Sequence, residues 1–277
     1  LGEVGSRADA WLAFFKAQLT TRREWKTEKK LILEPRVQDL VQLVNRMAQN
    51  LKNRAGRELL VIVDDLEKGD SDAHRDMHMR LFQEHYDVLV QPWFSIIYTL
   101  PIYFRALPGR RIPSEQLFAF SAVRLYEQVE KRGDRPNLNF EGTEYQLMHR
   151  FVVSRVANML LFAGDTLDEL LRIGGGLFRE TARVIQDAAF YAEMRGSSRI
   201  ELEDVENVFN QVKKEYQPMI RGEAVKILKA VLSSAEGWIP GVEPYLQSRA
   251  VVEYENGDLW LDLRYTLKAY VRGLADG

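Results

Sequence analysis

The sequence predicts an α/β protein in which a short parallel sheet comes first and an all-helical region follows. Three observations carry this. Residues Leu59-Leu60-Val61-Ile62-Val63-Asp64-Asp65 form an unbroken apolar run that stops at two adjacent carboxylates, the pattern of a strand covered on both faces whose tip brings acid to a ligand site. Phe94 to Thr99 is a second short apolar run, separated from the first by a helical stretch, so strand, helix and strand follow in the order that parallel pairing needs. Beyond Gly142 helical periodicity punctuated by glycine takes over.

Taken in order, Asp9 to Gln18 and Pro35 to Arg54 read as helices, the second with a stripe of Val37, Leu40, Val41, Leu43, Val44, Met47 and Leu51. After Asp65 a polar stretch becomes helical by Arg75 and runs to Val90, closed by Pro92. Phe94 to Thr99 is stopped by Leu100-Pro101, and Leu117 to Leu125 is a third candidate strand before the turn-rich Lys131 to Asn139. Four helices are expected at Glu144 to Phe162, Thr166 to Ile173, Leu177 to Arg195 and Leu202 to Tyr216. A helix from Arg221 to Ser233 and a short one from Glu243 to Gln247 precede two strands, Ala250 to Tyr254 and Asp258 to Leu263, around the hairpin signal Asn256-Gly257. Helix, short helix, hairpin, helix is the order of a winged helix. The expected domains are residues 1–141, 142–220 and 221–277.

Lys plus Arg number 38 against 40 Asp plus Glu in 277 residues, a formal charge of −2, so no global field selects nucleic acid or acidic lipid. Residues 1 to 60 hold 12 Lys or Arg against 7 Asp or Glu, either a solvated basic face or a phosphate-facing surface. Having no cysteine removes disulfides and thiolate chemistry together and suits a reducing cytoplasm. No apolar stretch is long enough to span a bilayer. The chain opens without methionine, which points to a processed or truncated N-terminus.

The order of these parts resembles the AAA+/STAND group of P-loop ATPases, in which a core sheet is followed by a helical lid and often by a winged-helix domain. Leu59 to Asp65 resembles a Walker B strand, Thr99 stands where that family places a γ-phosphate sensor, and Gly174-Gly175-Gly176-Leu177-Phe178-Arg179 matches the Gly-rich turn and arginine that open its lid helix. The resemblance covers most of residues 36 to 270. It implies ATP and Mg²⁺ as cofactors: Asp64 holds magnesium through its water shell, Asp65 polarises the attacking water, and Thr99 and Arg179 read the nucleotide. Many members use glutamate where Asp65 stands, and its shorter side chain puts fast hydrolysis in question. The competing reading is that Asp64 starts a turn and Asp65 caps the next helix.

Nothing matches the Gly-x-x-x-x-Gly-Lys-Ser/Thr phosphate loop; Gly2, Gly5 and Ser6 are too sparse and lack the lysine. A longer form is expected to carry that loop before residue 1. The implied function is an ATP-binding and hydrolysing switch that controls a protein partner or self-assembly. Its rivals are a DNA-associated ATPase resembling origin-recognition initiators or transposition regulators, and a nucleotide-free scaffold. Residues 221 to 277 have 7 Lys or Arg against 8 Asp or Glu, with Glu253, Glu255 and Asp258 in the expected wing, which opposes nucleic-acid binding.

Other constellations carry less. His74 and His78 have zinc-compatible spacing but no third ligand, and read as an exposed polar helix. Arg132-Gly133-Asp134 reads as a turn, and Trp93, Trp238 and Trp260 as core anchors. Arg105, Arg150 and Arg155 are candidate subunit-bridging arginines without any spacing signature.

Overall fold

The helical stripe after Pro35 is realised in helix α1, Glu28–Ala55, within a computed structural model that describes residues 28–66, 72–102, 104, 110–234, 237–256 and 258–275. The expected helix at Asp9 to Gln18 lies outside these residues. Contacts divide the chain into two units, Leu1–Thr99 and Leu100–Gly277. The division thus falls after Thr99 and not near residue 141, and residues 100–141 go with the helical region. The fold is mixed α/β and about 57% helical, so helices supply most of the packed surface.

In the first unit α1 buries Asn45 and Ala48. Asn45 Oδ1 accepts the Trp93 N–H at 2.8 Å, and its Nδ2 donates to the Gln91 carbonyl at 3.5 Å, so one buried amide satisfies the chain entering the second strand. The helix ends where Gly56, at φ 62°, donates to the Lys52 carbonyl, the left-handed stop that glycine adopts without steric cost. Strand β1, Leu60–Val63, then pairs in parallel with β2, Ser95–Tyr98, in the register Leu60↔Ser95 to Val63↔Tyr98. The crossover contains α2, Asp72–Met79, a wider π-turn at Arg80–Glu84 and α3, Tyr86–Leu89. Tyr98 packs edge-on against buried Phe82 at 6.1 Å and donates its hydroxyl to the Leu89 carbonyl, locking crossover to strand.

Three expectations fail here. The unbroken apolar run is not covered on both faces: Leu60, Ile62 and Ile97 are 53, 61 and 51% exposed, while the alternate residues are half-buried. The tyrosine that meets the crossover lies on the other face, and the described residues provide no second layer. Trp93, expected as a core anchor, is 78% exposed, and its contribution to the clamp is its backbone N–H. The third candidate strand does not join the sheet. The backbone N–H groups of Ala122 and Val123 donate to the Glu253 and Gly176 carbonyls, which places residues 121–125 in the second unit as a strap. Its apolar character is used in that unit's core, where Leu125 and Tyr126 are buried.

The second unit begins its helices with α4, Thr143–Val153, shorter than the expected run to Phe162. Asn158 interrupts that run by accepting the Leu160 N–H, and Phe162 then bridges Ile200 in parallel. Helices α5, Thr166–Gly174, α6, Phe178–Met194, and α7, Leu202–Tyr216, follow the expected boundaries closely. Next come α8, Glu223–Ser233, the short α9, Glu243–Gln247, the antiparallel pair β3, Val251–Asn256, and β4, Asp258–Leu263, and α10, Tyr265–Gly273.

The β3–β4 hairpin separates two cores. Val252, Tyr254 and Trp260 face the core of α4 to α7, where Met148, Leu170 and Val208 are fully buried; Val251, Leu261 and Leu263 face the core of α8 to α10. Both faces of the hairpin are therefore buried, and Glu253, expected on an exposed wing, is only 4% exposed. Glu255 and Asp258 remain exposed, and Glu255 accepts from the Ser121 hydroxyl of the strap.

Two buried carboxylates tie this unit together and set its response to acid. Asp204 accepts the Glu201 N–H in a reciprocal cap of α7 and receives Arg195 at 2.8 Å; that hydrogen bond holds its carboxyl below the usual range. Glu180 receives Arg183, Arg249 and the fully buried Arg264. Burial pushes the Glu180 carboxyl up, but Arg264 and Arg183 more than offset this and hold it low. Depressed folded values mean a stabilising contribution that is complete above the unfolded pKa, near ~4, and lost as pH falls through the folded value. We expect helical circular dichroism to fall on acidification below that range. Asp204→Asn and Glu180→Gln should lower stability at neutral pH and flatten the acid limb; an unchanged acid limb in both would disprove the assignment.

Candidate functional site

Parallel pairing brings Asp64, Asp65 and Thr99 to the same end of the sheet, because Asp64 and Thr99 each follow the last residue of their strand and Asp65 comes next. The Thr99 N–H extends the ladder to the Val63 carbonyl at 3.1 Å, and the Thr99 hydroxyl accepts the Leu66 N–H at 3.1 Å. Thr99 thus braces the chain as it leaves β1. Asp64 Oδ1 accepts the N–H of Asp65 at 2.8 Å, and Asp65 sits in the left-handed region at φ 69°. Aspartate tolerates that conformation better than most residues with a Cβ. Both carboxylates are exposed.

The rival reading of Asp65 as the cap of the next helix falls on residues 67–71, which lie outside the described residues. An ionised carboxylate has about four lone-pair sites, so one bond from Asp65 N–H leaves Asp64 able to accept others. Among the described residues no three His, Cys, Asp or Glu side chains gather as a metal cage. Two exposed carboxylates and a hydroxyl fit Mg²⁺, a hard ion that keeps several waters and takes its remaining oxygens from phosphate.

Arg179 belongs to the other unit, as the second residue of α6, and is exposed. Its neighbour Phe178 meets Phe151 edge-on at 4.8 Å, and the Arg155 guanidinium lies 4.0 Å over the Phe151 ring. Arg155 also donates to the Phe151 carbonyl and the Ser154 hydroxyl, a local role; Arg150 is exposed, and Arg105 lies outside the described residues.

The glycines before Arg179 have a packing explanation. A Cβ on Gly174 would lie 2.3 Å from Thr181 Oγ1, and one on Gly176 would lie 1.9 Å from the Val123 carbonyl oxygen. Gly175 is the left-handed stop of α5, and its carbonyl accepts the Tyr254 hydroxyl at 2.9 Å. The run is where helix, strap and hairpin approach most closely.

His78 is buried, contrary to the exposed helix expected, and the His74 side chain is outside the described set. The buried ionic groups Glu180–Arg264 and Asp262–Lys268 were not singled out from the sequence. The available signal for the second was Asp262 on the same strand face as Trp260, an acid at an inward position. No protein-family model, curated protein or solved structure matches the chain.

Proposed function

We propose that this chain carries the magnesium-side acids, lid and winged-helix-like part of an ATP-dependent molecular switch of AAA+/STAND type. The observation that carries the proposal is the juxtaposition of Asp64, Asp65 and Thr99 at the carboxyl ends of two parallel strands joined by a helical crossover, the place where α/β sheets hold ligands. Mg²⁺ supplies charge neutralisation at the phosphates. Asp64 holds the hydrated ion, Asp65 accepts a proton from the attacking water, and the Thr99 hydroxyl donates toward the terminal phosphate while bracing the β1 exit. Arg179 answers nucleotide state on the helical unit, and the tightly tied hairpin follows α6 as part of that unit.

Turnover and binding separate this reading from its rivals. In the full-length protein, Asp65→Asn should retain ATP binding and lose turnover by about a hundredfold or more, and Thr99→Ala should weaken the difference between ATP and ADP. A full-length protein that binds no ATP overturns the proposal. That result favours the nucleotide-free scaffold, a reading supported by the local bond from Asp65 N–H to Asp64 and by the packing of the glycines. The near-neutral balance of residues 221–277 disfavours the DNA-associated alternative.

A further inference from the structure

The strap that enters the core of the second unit leaves its own first stretch uncovered. Phe118 and Phe120 are 86 and 103% exposed, and Ala119 between them is exposed as well. Upstream, the single-turn helix Ser114–Gln116 ends with Leu117 in extended backbone, at φ −102° and ψ 115°. Downstream, the Ser121 hydroxyl donates to Glu255 at 3.3 Å and the Ala122 N–H donates to the Glu253 carbonyl of β3 at 2.9 Å. The stretch is therefore anchored at both ends and leads into the free edge of the hairpin. Between these anchors the backbone N–H and C=O groups of Phe118, Ala119 and Phe120 make no hydrogen bond among the described residues.

Unpaired backbone of this kind is a template for another strand, and native edges are ordinarily guarded by lysine, proline or a bulge. Residues 117–123, Leu-Phe-Ala-Phe-Ser-Ala-Val, contain no charge, no proline and no glycine. The order of side chains is also close to symmetric about Ala119. If an identical segment pairs antiparallel about a twofold axis at Ala119, Phe118 stands opposite the partner's Phe120, and Leu117 opposite the partner's Ser121. Residues two apart share one face of a strand, so four rings collect on one face as cross-strand aromatic pairs. No like charges meet in this register. The four rings carry roughly 600–1,000 Å² of surface, and the paired backbone adds to what they cover. Such a contact lies at the small end of specific interfaces, near about 1,000 Å², which suits a weak, concentration-dependent dimer.

We propose that residues 117–121 are a self-association surface through which two copies of this chain pair edge to edge, antiparallel about Ala119, into a twofold dimer. The same patch serves both copies, so the contact closes at two and does not propagate into a fibre. It lies in the second unit and depends on none of Asp64, Asp65 and Thr99.

Sedimentation velocity of the whole chain over a concentration series tests the dimer, and a unique cysteine tests its register. A dimer fraction that rises with concentration is expected. Phe120→Ser should weaken the association at least tenfold, and Phe118→Ser combined with it should leave a monomer, both with the melting temperature of the wild-type monomer because these rings are exposed. The chain has no cysteine, so Ala119→Cys introduces a single thiol. On the axis its Cα stands about 4.5–5.5 Å from its copy, within disulfide reach. Mild oxidation should then link Ala119→Cys into a dimer much faster than Val129→Cys, a control at a position 66% exposed in the same unit. A wild-type chain that stays monomeric throughout the series overturns the proposal. So does a dimer that survives the double phenylalanine variant, or an Ala119→Cys chain that cross-links no faster than the control.

Discussion

Gly176→Ala is expected to destabilise the helical unit by about 3 kcal/mol or more, among the largest effects of any single methyl group in this chain. Two costs add. Gly176 has φ 75°, a conformation that costs an L-residue about 1–2 kcal/mol, and the new Cβ would stand 1.9 Å from the Val123 carbonyl oxygen. That oxygen belongs to backbone held on both sides, since Val123 N–H donates to the Gly176 carbonyl and Ala122 N–H to that of Glu253. The strap cannot yield without losing these bonds. Gly175→Ala is the control: φ is 62°, but the nearest atoms to its Cβ are at 3.8 Å, so only the conformational cost of about 1 kcal/mol applies. Urea denaturation followed by helical circular dichroism compares the two. Equal losses would show that the strap does not pass against Gly176 as closely as described.

Asp262→Asn should rank beside it, with a loss of about 3–5 kcal/mol, the usual result of leaving a buried charge unpaired. Asp262 Oδ2 receives Lys268 at 2.6 Å and the Tyr126 hydroxyl at 3.1 Å, and Oδ1 receives the Leu263 N–H at 2.7 Å. Lys131, close by, donates to the carbonyls of Leu261 and Ser234. Burial pushes the Asp262 carboxyl up and both lysines down, while the ion pair opposes each shift. Removing the carboxylate leaves two buried ammonium groups with only the weaker pull of Asp134 on Lys268 as counter-charge, whereas Lys268→Met leaves Asp262 still near Lys131. The aspartate variant should therefore be the less stable of the two.

Two further outcomes follow from the same charges. Adding Lys268→Met to Asp262→Asn should recover part of the loss, a coupling that a double-mutant cycle reads directly. In Asp262→Asn the folded lysines have pKa values below those of the unfolded chain, so the folded state binds fewer protons and stability should rise with pH as they deprotonate. A variant whose stability falls over that alkaline range would contradict the buried-pair assignment.

Much of the local structure was legible. Helical spacing located α5, α6, α7 and α8 to within a residue or two, and Gly175 and Gly196 mark true ends because their positive φ values favour a residue without Cβ. The apolar runs at Leu59 and Phe94 did become parallel strands, with Thr99 beside the acids. Residues 117–125 misled because an apolar extended run has the same composition whether its backbone pairs with a sheet or straps a helical core. The helix expected to reach Phe162 failed at Asn158 because that side chain offers the backbone a competing partner, which periodicity does not register.

By itself the sequence determined the order of elements, the acidic tip of the first strand, and the glycines that punctuate the helices, since these depend on neighbours along the chain. Only the tertiary structure decided that one face of the strand pair is bare, that the hairpin is buried on both sides, and that Gly176 makes room for Val123. It alone decided that Glu180 gathers three arginines. Those properties depend on residues far apart along the chain meeting in space, as Val123 meets Gly176 and Glu180 meets Arg264. Local propensity carries no information about such meetings, because burial and charge pairing are set by which surfaces the packed cores bring together.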